Sequence, residues 1–170
     1  MSLIYRKAEH SDAEQLLLHI QAVGGETDNL TYGKDTFVIP KEREARFISR
    51  FSNSKRDLML VVVDTFSGEI VANGIVEHNR IERLSHTAEL TVTVLKSHWS
   101  EGIVTELMKL MIEHAKEQGT HMLNVIVRSD NYRAIHLYEK FGFKKSGSYP
   151  DYFLINNNYY DVDMMCLKLT

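Results

Sequence analysis

The sequence predicts an α+β fold: a single domain over residues 1–170 with a central mixed, mostly antiparallel, twisted sheet of about seven strands flanked by about four helices. Two observations predict this class. Segments with strand and helix periodicity follow one another as one strand, two helices, three strands, then helix, strand, helix and two strands. The chain is 44% hydrophobic over 170 residues, enough apolar material for one core, and no repeat or linker divides it.

The first third of the chain predicts a strand and two helices. Leu3–Lys7 has the pattern of a short strand, and Ser11 with Glu14 has the pattern of a capping box that opens the first helix. Gly24-Gly25 is expected to end that helix, and Pro40 to be the first residue of the second. The buried positions are predicted from helical spacing: Leu16, Leu17, Ile20 and Val23 in the first helix, and Ala45, Phe47, Ile48 and Phe51 in the second.

The segment between these helices, residues 26–39, has neither helical nor strand periodicity. It is polar, with a few aromatic and apolar residues. A loop of this length in a compact domain often carries function, and we therefore expect it to lie at the binding site.

The remaining elements follow from apolar runs and turn residues. Leu58–Val63 predicts a strand buried on both faces, and the turn over residues 64–69 returns the chain antiparallel. A long helix with an inner face of Leu107, Leu110, Met111, His114 and Ala115 is expected to end at Gly119. The other predicted elements are strands at Ile70–Glu77, Glu89–Leu95, Leu123–Val127, Phe143–Ser146 and Tyr159–Leu169 and a short helix at Asn131–Lys140.

Composition argues against several functional classes. The formal charge is -3, from 20 Lys and Arg against 23 Asp and Glu, which argues against a surface devoted to nucleic acid. Cys166 has no partner for a disulfide, so a reducing, cytoplasmic setting is expected. The longest apolar run, Leu58–Val63, is too short for a membrane span. The eight histidines show no paired ligand spacing, so no metal is predicted.

One stretch predicts an anion-binding loop. The apolar segment Leu90–Leu95 meets a polar turn, Lys96–Glu101, and Gly102-Ile103 then opens a helical pattern. The first backbone N–H groups of a helix have no partner within it and point outward along a favourable dipole. The turn is therefore predicted to cradle an anionic group.

Two motifs resemble the acetyl-CoA-binding core of the GCN5-related N-acetyltransferases. They read Val94-x-x-x-x-Trp99-Ser100-Glu101-Gly102-Ile103 and Asn131-x-x-Ala134-x-x-x-Tyr138-x-x-x-Gly142-Phe143. The second motif is the more restrictive of the two. The resemblance implies transfer of an acetyl group from acetyl-CoA to a primary amine, by direct attack in a ternary complex. It also implies that the strands at Glu89–Leu95 and Leu123–Val127 start parallel and then splay apart to admit the pantetheine arm.

The resemblance assigns the cofactor contacts. Backbone groups of Val92, Thr93 and Val94 are expected to pair with pantetheine amides. The pyrophosphate is expected on the backbone N–H groups of Trp99, Ser100, Glu101, Gly102, Ile103, Val104 and Thr105. In the second motif Asn131 and Ala134 are expected to contact the cofactor, although Asn131 is equally well placed to be a helix N-cap.

The resemblance also suggests the reacting groups. Tyr138 is the predicted general acid for the coenzyme A thiolate, and its alternative role is an ordinary core aromatic. Glu89 is the predicted general base, directly or through a water, and its alternative role is a salt-bridged residue at a strand end. Cys166 lies in an apolar strand pattern, which argues against an acetyl-cysteine intermediate.

The acceptor is expected to be a small-molecule amine, with a protein N-terminus or lysine as the alternative. An acidic and aromatic wall for a cationic amine is predicted from Glu26, Thr27, Asp28, Tyr32, Tyr149 and Tyr152, unless that surface is only solvated. A non-catalytic acyl-CoA- or ligand-sensing module is the alternative of another class. It is favoured by Trp99 and Val104, which stand where the family usually has Arg or Gln and Gly or Ala. The family is frequently dimeric, and the residues do not decide between a monomer and a homodimer.

Overall fold

The computed structural model describes residues 2–169, and in them it confirms the predicted mixed sheet with helices on both faces. The strands are β1 Leu3–Lys7, β2 Leu58–Asp64, β3 Ile70–His78, β4 Thr87–Val94, β5 Met122–Arg128, β6 Lys144–Ile155 and β7 Asn158–Lys168. The α-helices are α1 Ala13–Glu26, α2 Lys41–Ser52, α3 Ile103–Glu117 and α4 Tyr132–Lys140. Short 3-10 turns lie at His10–Asp12, Glu82–Leu84 and Lys96–His98.

The sheet has the strand order β1-β2-β3-β4-β5-β7-β6, and its parallel neighbours are β4 and β5. Their pairing covers only Thr87 with Met122, Ala88 with Leu123, and Glu89 with Asn124. Beyond Glu89 the two strands run on without pairing to each other. The splay that the resemblance implied is therefore present, and it leaves a gap between the carboxyl halves of β4 and β5.

The two faces of the sheet carry two apolar clusters. Leu60 and Val62 of β2 pack in the main core with α3 and α4, whereas Met59 and Val61 pack in a second core with α1 and α2. The predicted burial of β2 on both faces is therefore confirmed. The gap between β4 and β5 lies between a helical layer on each side.

The predicted start of α1 is wrong. Ser11 does not cap the helix, because a 3-10 turn precedes α1 and the Glu9 N–H donates to Asp12 Oδ2 at 2.7 Å. The same carboxylate accepts from both Nη atoms of Arg6, at 2.7 and 2.8 Å. Asp12 is the residue before α1, but its carboxylate bonds to Glu9 and Arg6 and makes no side-chain cap to the helix.

The predicted end of α1 is also wrong, because the helix continues through Gly24 and Gly25 to Glu26. A Cβ built on Gly24 would lie 2.8 Å from the carbonyl carbon and oxygen of Gly33, so the long loop packs directly on the helix there. Gly24 is thus a site of close backbone approach and not a helix stop. The sequence predicted Pro40 as the first residue of α2, whereas it is the residue just before that helix. Its carbonyl accepts from the Arg43 N–H at 3.0 Å.

Two helix faces differ from their predicted composition. In α2, Phe47 is 38% exposed and Glu44 is 5% exposed, so the buried stripe includes a carboxyl group. Burial raises the pKa of Glu44 because it disfavours the charged form. Phe47 stays outside because it packs edge-on against Phe51 beneath the Arg50 guanidinium. In α3 the buried positions are Ile103, Leu107, Met108, Met111, Ile112 and Ala115, and the predicted Leu110 and His114 are only half-buried.

The strand predicted over Phe143–Ser146 is much longer, because β6 extends from Lys144 to Ile155. Irregular register between Lys145 and Gly147 and between Tyr149 and Phe153 disrupts the alternation that sequence patterns depend on. Asn156 and Asn157, with φ of 50° and 61°, form the tight turn into β7. In residues 2–169 no helix is both long and apolar enough to cross a bilayer.

The buried His19 fixes α1 to the sheet. Its ring is 2% exposed, with Nδ1 3.1 Å from the Ile70 carbonyl oxygen and Nε2 2.8 Å from Thr93 Oγ1. The carbonyl can only accept, so Nδ1–H donates to Ile70 and Nε2 accepts from the Thr93 hydroxyl. Burial lowers the pKa of His19 from 6.5 to about 4.

We expect His19 to make the protein less stable in mild acid. The unfolded chain binds a proton at this ring below pH 6.5, whereas the folded chain stays neutral to about pH 4. As the pH falls from 6.5 to about 4, this one ring should therefore lower the free energy of unfolding by up to about 3 kcal/mol. Urea unfolding at several pH values measures the effect, and His19→Gln is the control because it cannot titrate. Parallel pH profiles for the two proteins would contradict the assignment.

Gly24→Ala should destabilise the fold by about 1–3 kcal/mol, because the added methyl overlaps the Gly33 backbone. Gly25→Ala is the matched control on the same helix. Its Cβ would meet only the Lys34 side chain, at 3.5 Å, and alanine favours the helix by roughly 0.5–1 kcal/mol. Thermal unfolding of both variants tests the prediction, and equal stability of the two would show that the loop does not need this contact.

Candidate functional site

The gap between β4 and β5 exposes one edge of β4. The Leu95 N–H donates to the Val71 carbonyl, and the Thr87 carbonyl accepts from the Asn79 N–H. Alternate residues of a strand direct their backbone groups to opposite sides, so the odd-numbered residues of β4 face β3. The even-numbered ones therefore face the gap; they are Leu90, Val92 and Val94.

Of the three residues predicted to pair with pantetheine, Val92 and Val94 thus lie on the open edge. The backbone of Thr93 faces β3, opposite Asn73, and its hydroxyl bonds to His19. Thr93 therefore supports the edge from behind. Sequence alternation alone could not distinguish the side of the strand that is free.

The open edge runs directly into the predicted anion cradle. Gly102 has φ of 80° and is the N-cap of α3, whose first residue, Ile103, is 1% exposed. The first intrahelical bond joins the Glu106 N–H to the Gly102 carbonyl at 3.1 Å, which leaves the N–H groups of residues 103–105 without helical partners. Ser100 has φ of 69°, a left-handed conformation that costs energy for a residue with a side chain.

The side chain of the β-branched Val104 is half-buried and packs against the main core. Thr105 beside it is half-buried, and Glu101 is exposed on the loop. Trp99 lies across the loop, and its indole N–H donates to the Val94 carbonyl at 3.3 Å. The two departures from the family pattern are therefore accommodated by packing inside and beside the loop.

Cations flank the cradle, and sequence reasoning missed them. The Arg133 guanidinium lies 4.8 Å from the centre of the Trp99 ring, and its Nη2 donates to Ser100 Oγ at 3.1 Å. Lys96 Nζ lies 5.8 Å from the same ring. A basic residue in the first turn of α4 was the available signal, but its contact with Trp99 depends on the packing of α4 beside the loop.

The second motif builds α4. Asn131 caps the helix, and its Oδ1 accepts from the Ala134 N–H at 3.3 Å. Tyr138 is 8% exposed and packs in the main core, where its ring lies 5.6 Å from that of Phe143. Burial raises the pKa of Tyr138 to about 12. The Tyr138 phenol is thus packed among core residues and keeps its proton at neutral pH.

Glu89 lies at the closed end of the gap, in the last residue pair between β4 and β5. Its side chain is exposed, on the sheet face shared by Thr93 and α1. Across the strands it is opposite Glu77, which forms an ion pair of 2.7 Å with Arg50. Within residues 2–169 Glu89 itself has no salt bridge, so its carboxylate is available to a ligand or to water.

The long early loop reaches both lips of the gap. Glu26 Oε2 accepts from the Lys96 N–H at 2.7 Å, and Arg128 Nη1 donates to the Asp28 carbonyl oxygen at 3.1 Å. Thr27 Oγ1 accepts from the Asn29 N–H within the loop. Further on, the Tyr32 ring packs edge-on against Phe37, 5.0 Å away, and burial raises the pKa of Tyr32 to about 12.

Tyr149 and Tyr152 lie on β6, with ring centres 5.8 Å apart and about half of each side chain exposed. In the described part of the chain no hydrogen bond or ring contact joins them to the early loop. Arg128 lies on the loop's side, where its guanidinium is 3.9 Å from the Tyr160 ring. The predicted wall therefore divides into two surfaces, one at the lips of the gap and one on β6.

The residues present suit a coenzyme A thioester. The open strand edge offers amide partners, the helix start offers N–H groups to phosphate, and Arg133 with Lys96 adds positive charge. Among residues 2–169 no group of three or more His, Cys, Asp or Glu side chains is arranged to hold a metal ion.

Comparison with known proteins agrees with this geometry. The model of the acetyltransferase (GNAT) family matches residues 28–143. An acetyltransferase of the GNAT family from Streptococcus pneumoniae superposes with a TM-score of 0.93 at 26% identity, covering 99% of this chain and all of that one.

Two curated relatives are similar in sequence. The spermidine N(1)-acetyltransferase of Escherichia coli is 30% identical over 55% of this chain, and the match spans 51% of that protein, about half its length. The L-methionine sulfoximine/L-methionine sulfone acetyltransferase of Pseudomonas aeruginosa is 27% identical over 99% of this chain and 96% of its own length. Because the family model covers more than half of the chain, the protein belongs to the GNAT acetyltransferase family.

Proposed function

We propose that the protein is an acetyl-CoA-dependent N-acetyltransferase that acetylates a primary amine of a small molecule. The observation that carries this proposal is the continuity of two features. The unpaired edge of β4 is followed, after the turn and loop at residues 95–102, by the free N–H groups at the start of α3. A thioester with an amide-bearing arm and a pyrophosphate matches this pair of features along its length.

In the proposed complex the pantetheine amides pair with the gap-facing backbone of Val92 and with the N–H of Val94, whose carbonyl already accepts from the Trp99 indole. The pyrophosphate lies on the loop and first turn of α3, from Ser100 to Thr105, because the predicted Trp99 N–H already donates to the Lys96 carbonyl at 3.2 Å. The thioester then comes to the closed end of the gap, where β4 and β5 are still paired. Because Val104 packs against the main core, it leaves room for the phosphates. Asn131 and Ala134 contribute by holding the start of α4 beside the arm.

Glu89 is the proposed base. An amine is a cation at neutral pH and must lose a proton before its lone pair can attack the thioester carbonyl. The exposed Glu89 carboxylate lies at the closed end of the gap and takes that proton directly or through a water. The nitrogen bonds to the carbonyl carbon and releases its second proton to water, the carbon–sulfur bond breaks, and the thiolate departs, so no covalent enzyme intermediate is needed.

Tyr138 is the proposed partner of the departing thiolate. With a pKa of about 12 its phenol is a donor at all physiological pH values. Full proton transfer to a thiolate whose acid has a pKa near 8.5 is uphill by roughly 5 kcal/mol. Hydrogen-bond donation to the sulfur, followed by protonation from solvent, is therefore the form of acid assistance that this pKa favours.

Two considerations support a small acceptor. The names of both curated relatives give small molecules with amino groups as their acceptors. The early loop supplies a carbonyl group at the lips of the gap, and the two tyrosines of β6 supply a separate aromatic surface. These surfaces suit a cationic amine better than an extended peptide.

The first test is release of free thiol from acetyl-CoA with a panel of amines. Spermidine, L-methionine sulfoximine, common amino acids and a peptide with a free N-terminus form the panel. We expect turnover with at least one small amine. Tyr138→Phe should lower kcat by about 10²-fold and leave the KM for acetyl-CoA unchanged, because phenylalanine fills the same core space.

Different results would support the other functions. Binding of acetyl-CoA without thiol release from any amine would identify a sensing module. Turnover with the peptide alone would identify a protein-directed enzyme. An unchanged kcat for Tyr138→Phe, with normal folding, would remove Tyr138 from the mechanism.

Arg133→Ala should weaken acetyl-CoA binding about threefold to tenfold, because the cradle loses a cation held against Trp99 and Ser100. Calorimetric titration measures the change at two salt concentrations, since a phosphate contact weakens with salt. Lys140→Ala is the matched control, which removes the same charge from the far end of α4. Equal affinities for the two variants would show that Arg133 does not contact the cofactor.

A further inference from the structure

Helix α1 is fixed along β4 at two points. His19 bonds to Thr93, and Glu26, the last residue of the helix, bonds to Lys96. These two helix residues are separated by nearly two turns, about 10.5 Å, and therefore share one face. The matching interval along the extended chain, from Thr93 to Lys96, is roughly 10 Å. The equal spacing lets the helix follow the end of β4 without distortion.

The chain then crosses from β4 to β5. Residues 26–28, which we call the strap, begin at the Lys96 N–H and reach Arg128, the last residue of β5, through the Asp28 carbonyl. Arg128 is held rigidly, because its guanidinium pairs with both carboxylate oxygens of Asp130 and stacks on Tyr160 at 3.9 Å. The strap thus ties together the two strand ends that splay apart.

The strap is also anchored from the loop side. After Asp28 the chain returns to α1, where the Gly33 backbone packs on Gly24 with no space for a Cβ between them. The early loop is therefore fixed at Glu26, at Asp28 and at Gly33.

Lys96 is the first residue of the turn that carries the phosphate cradle. Its N–H group belongs to the start of a helical turn, where N–H groups need an outside acceptor. Glu26 supplies that acceptor with a charged oxygen at 2.7 Å, the short length of a charge-assisted bond. The conformation of the cofactor loop therefore depends on a residue seventy positions earlier in the chain.

We propose that Glu26 is a positioning residue for the cofactor loop, residues 96–102. We also propose that the strap couples this loop to the rest of the early loop, residues 29–39, where the acceptor is recognised. The inference rests on the proposed acetyl-CoA-dependent function. It assigns Glu26 a different role from the predicted acidic wall, because a carboxylate oxygen of Glu26 is already committed to the Lys96 N–H. Acceptor recognition is left to the part of the loop beyond the strap.

Two variants of Glu26 separate the roles. Glu26→Ala removes the acceptor for the Lys96 N–H and should weaken acetyl-CoA binding about tenfold by calorimetry. Glu26→Gln keeps a side-chain oxygen at the same position and should stay within about threefold of the unaltered protein. Glu14→Ala is the control, since it removes an exposed carboxylate from the first turn of the same helix. It should not change acetyl-CoA affinity.

Amide hydrogen exchange in the free protein gives a second readout. Residues 96–102 should exchange faster in Glu26→Ala than in Glu26→Gln or Glu14→Ala, whereas the strands should be unchanged. This comparison does not depend on the identity of the ligand. A loop that exchanges equally in all three variants overturns the positioning role.

The kinetic outcomes are also distinct. If Glu26→Gln and Glu26→Ala both raise the acceptor KM and leave acetyl-CoA affinity unchanged, Glu26 recognises the acceptor by its charge and the positioning role is wrong. If the unaltered protein binds acetyl-CoA and Glu26→Ala binds it equally well, the inference fails while the proposed function stands. If the unaltered protein does not bind acetyl-CoA, the proposed function and this inference fail together.

Discussion

The unpaired edge of β4 is the constraint on which the rest of the structure depends. Backbone N–H and C=O groups inside a sheet need partners, and a strand that leaves its neighbour exposes them. Here β4 separates from β5 after Glu89, and within residues 2–169 no other strand fills the gap. A ligand with amide groups of its own satisfies such an edge, so the sheet is incomplete in a way that suits an extended thioester.

The helices around the gap maintain this opening. On one face α3 and α4 bury a continuous apolar core that includes Tyr138. On the other face α1 runs along β4, fixed by His19 to Thr93 and by Glu26 to Lys96. One buried and one exposed hydrogen bond thus hold β4 and the turn that follows it, and a shift of this strand would displace both the edge and the cradle.

Around the site, two titratable groups are buried and neutral, whereas two charged groups are exposed. Tyr138 and His19 are buried and neutral, since burial raises the pKa of one and lowers the pKa of the other. The groups available to bind ions stay exposed: Glu89 at the closed end of the gap and Arg133 at the cradle. Trp99 stands where the family usually has Arg or Gln, and its ring contacts the Arg133 guanidinium.

The sequence by itself determined the fold class, most of the elements and the second motif. These features depend on hydrogen bonds and apolar contacts between residues a few positions apart, as in the Asn131 cap of α4. Only the tertiary structure decided that Gly24 is a packing site, that Arg133 serves the cradle and that Glu26 holds the Lys96 N–H. Each of these contacts joins residues from different elements or loops, nine to seventy positions apart, and local periodicity does not indicate such partners.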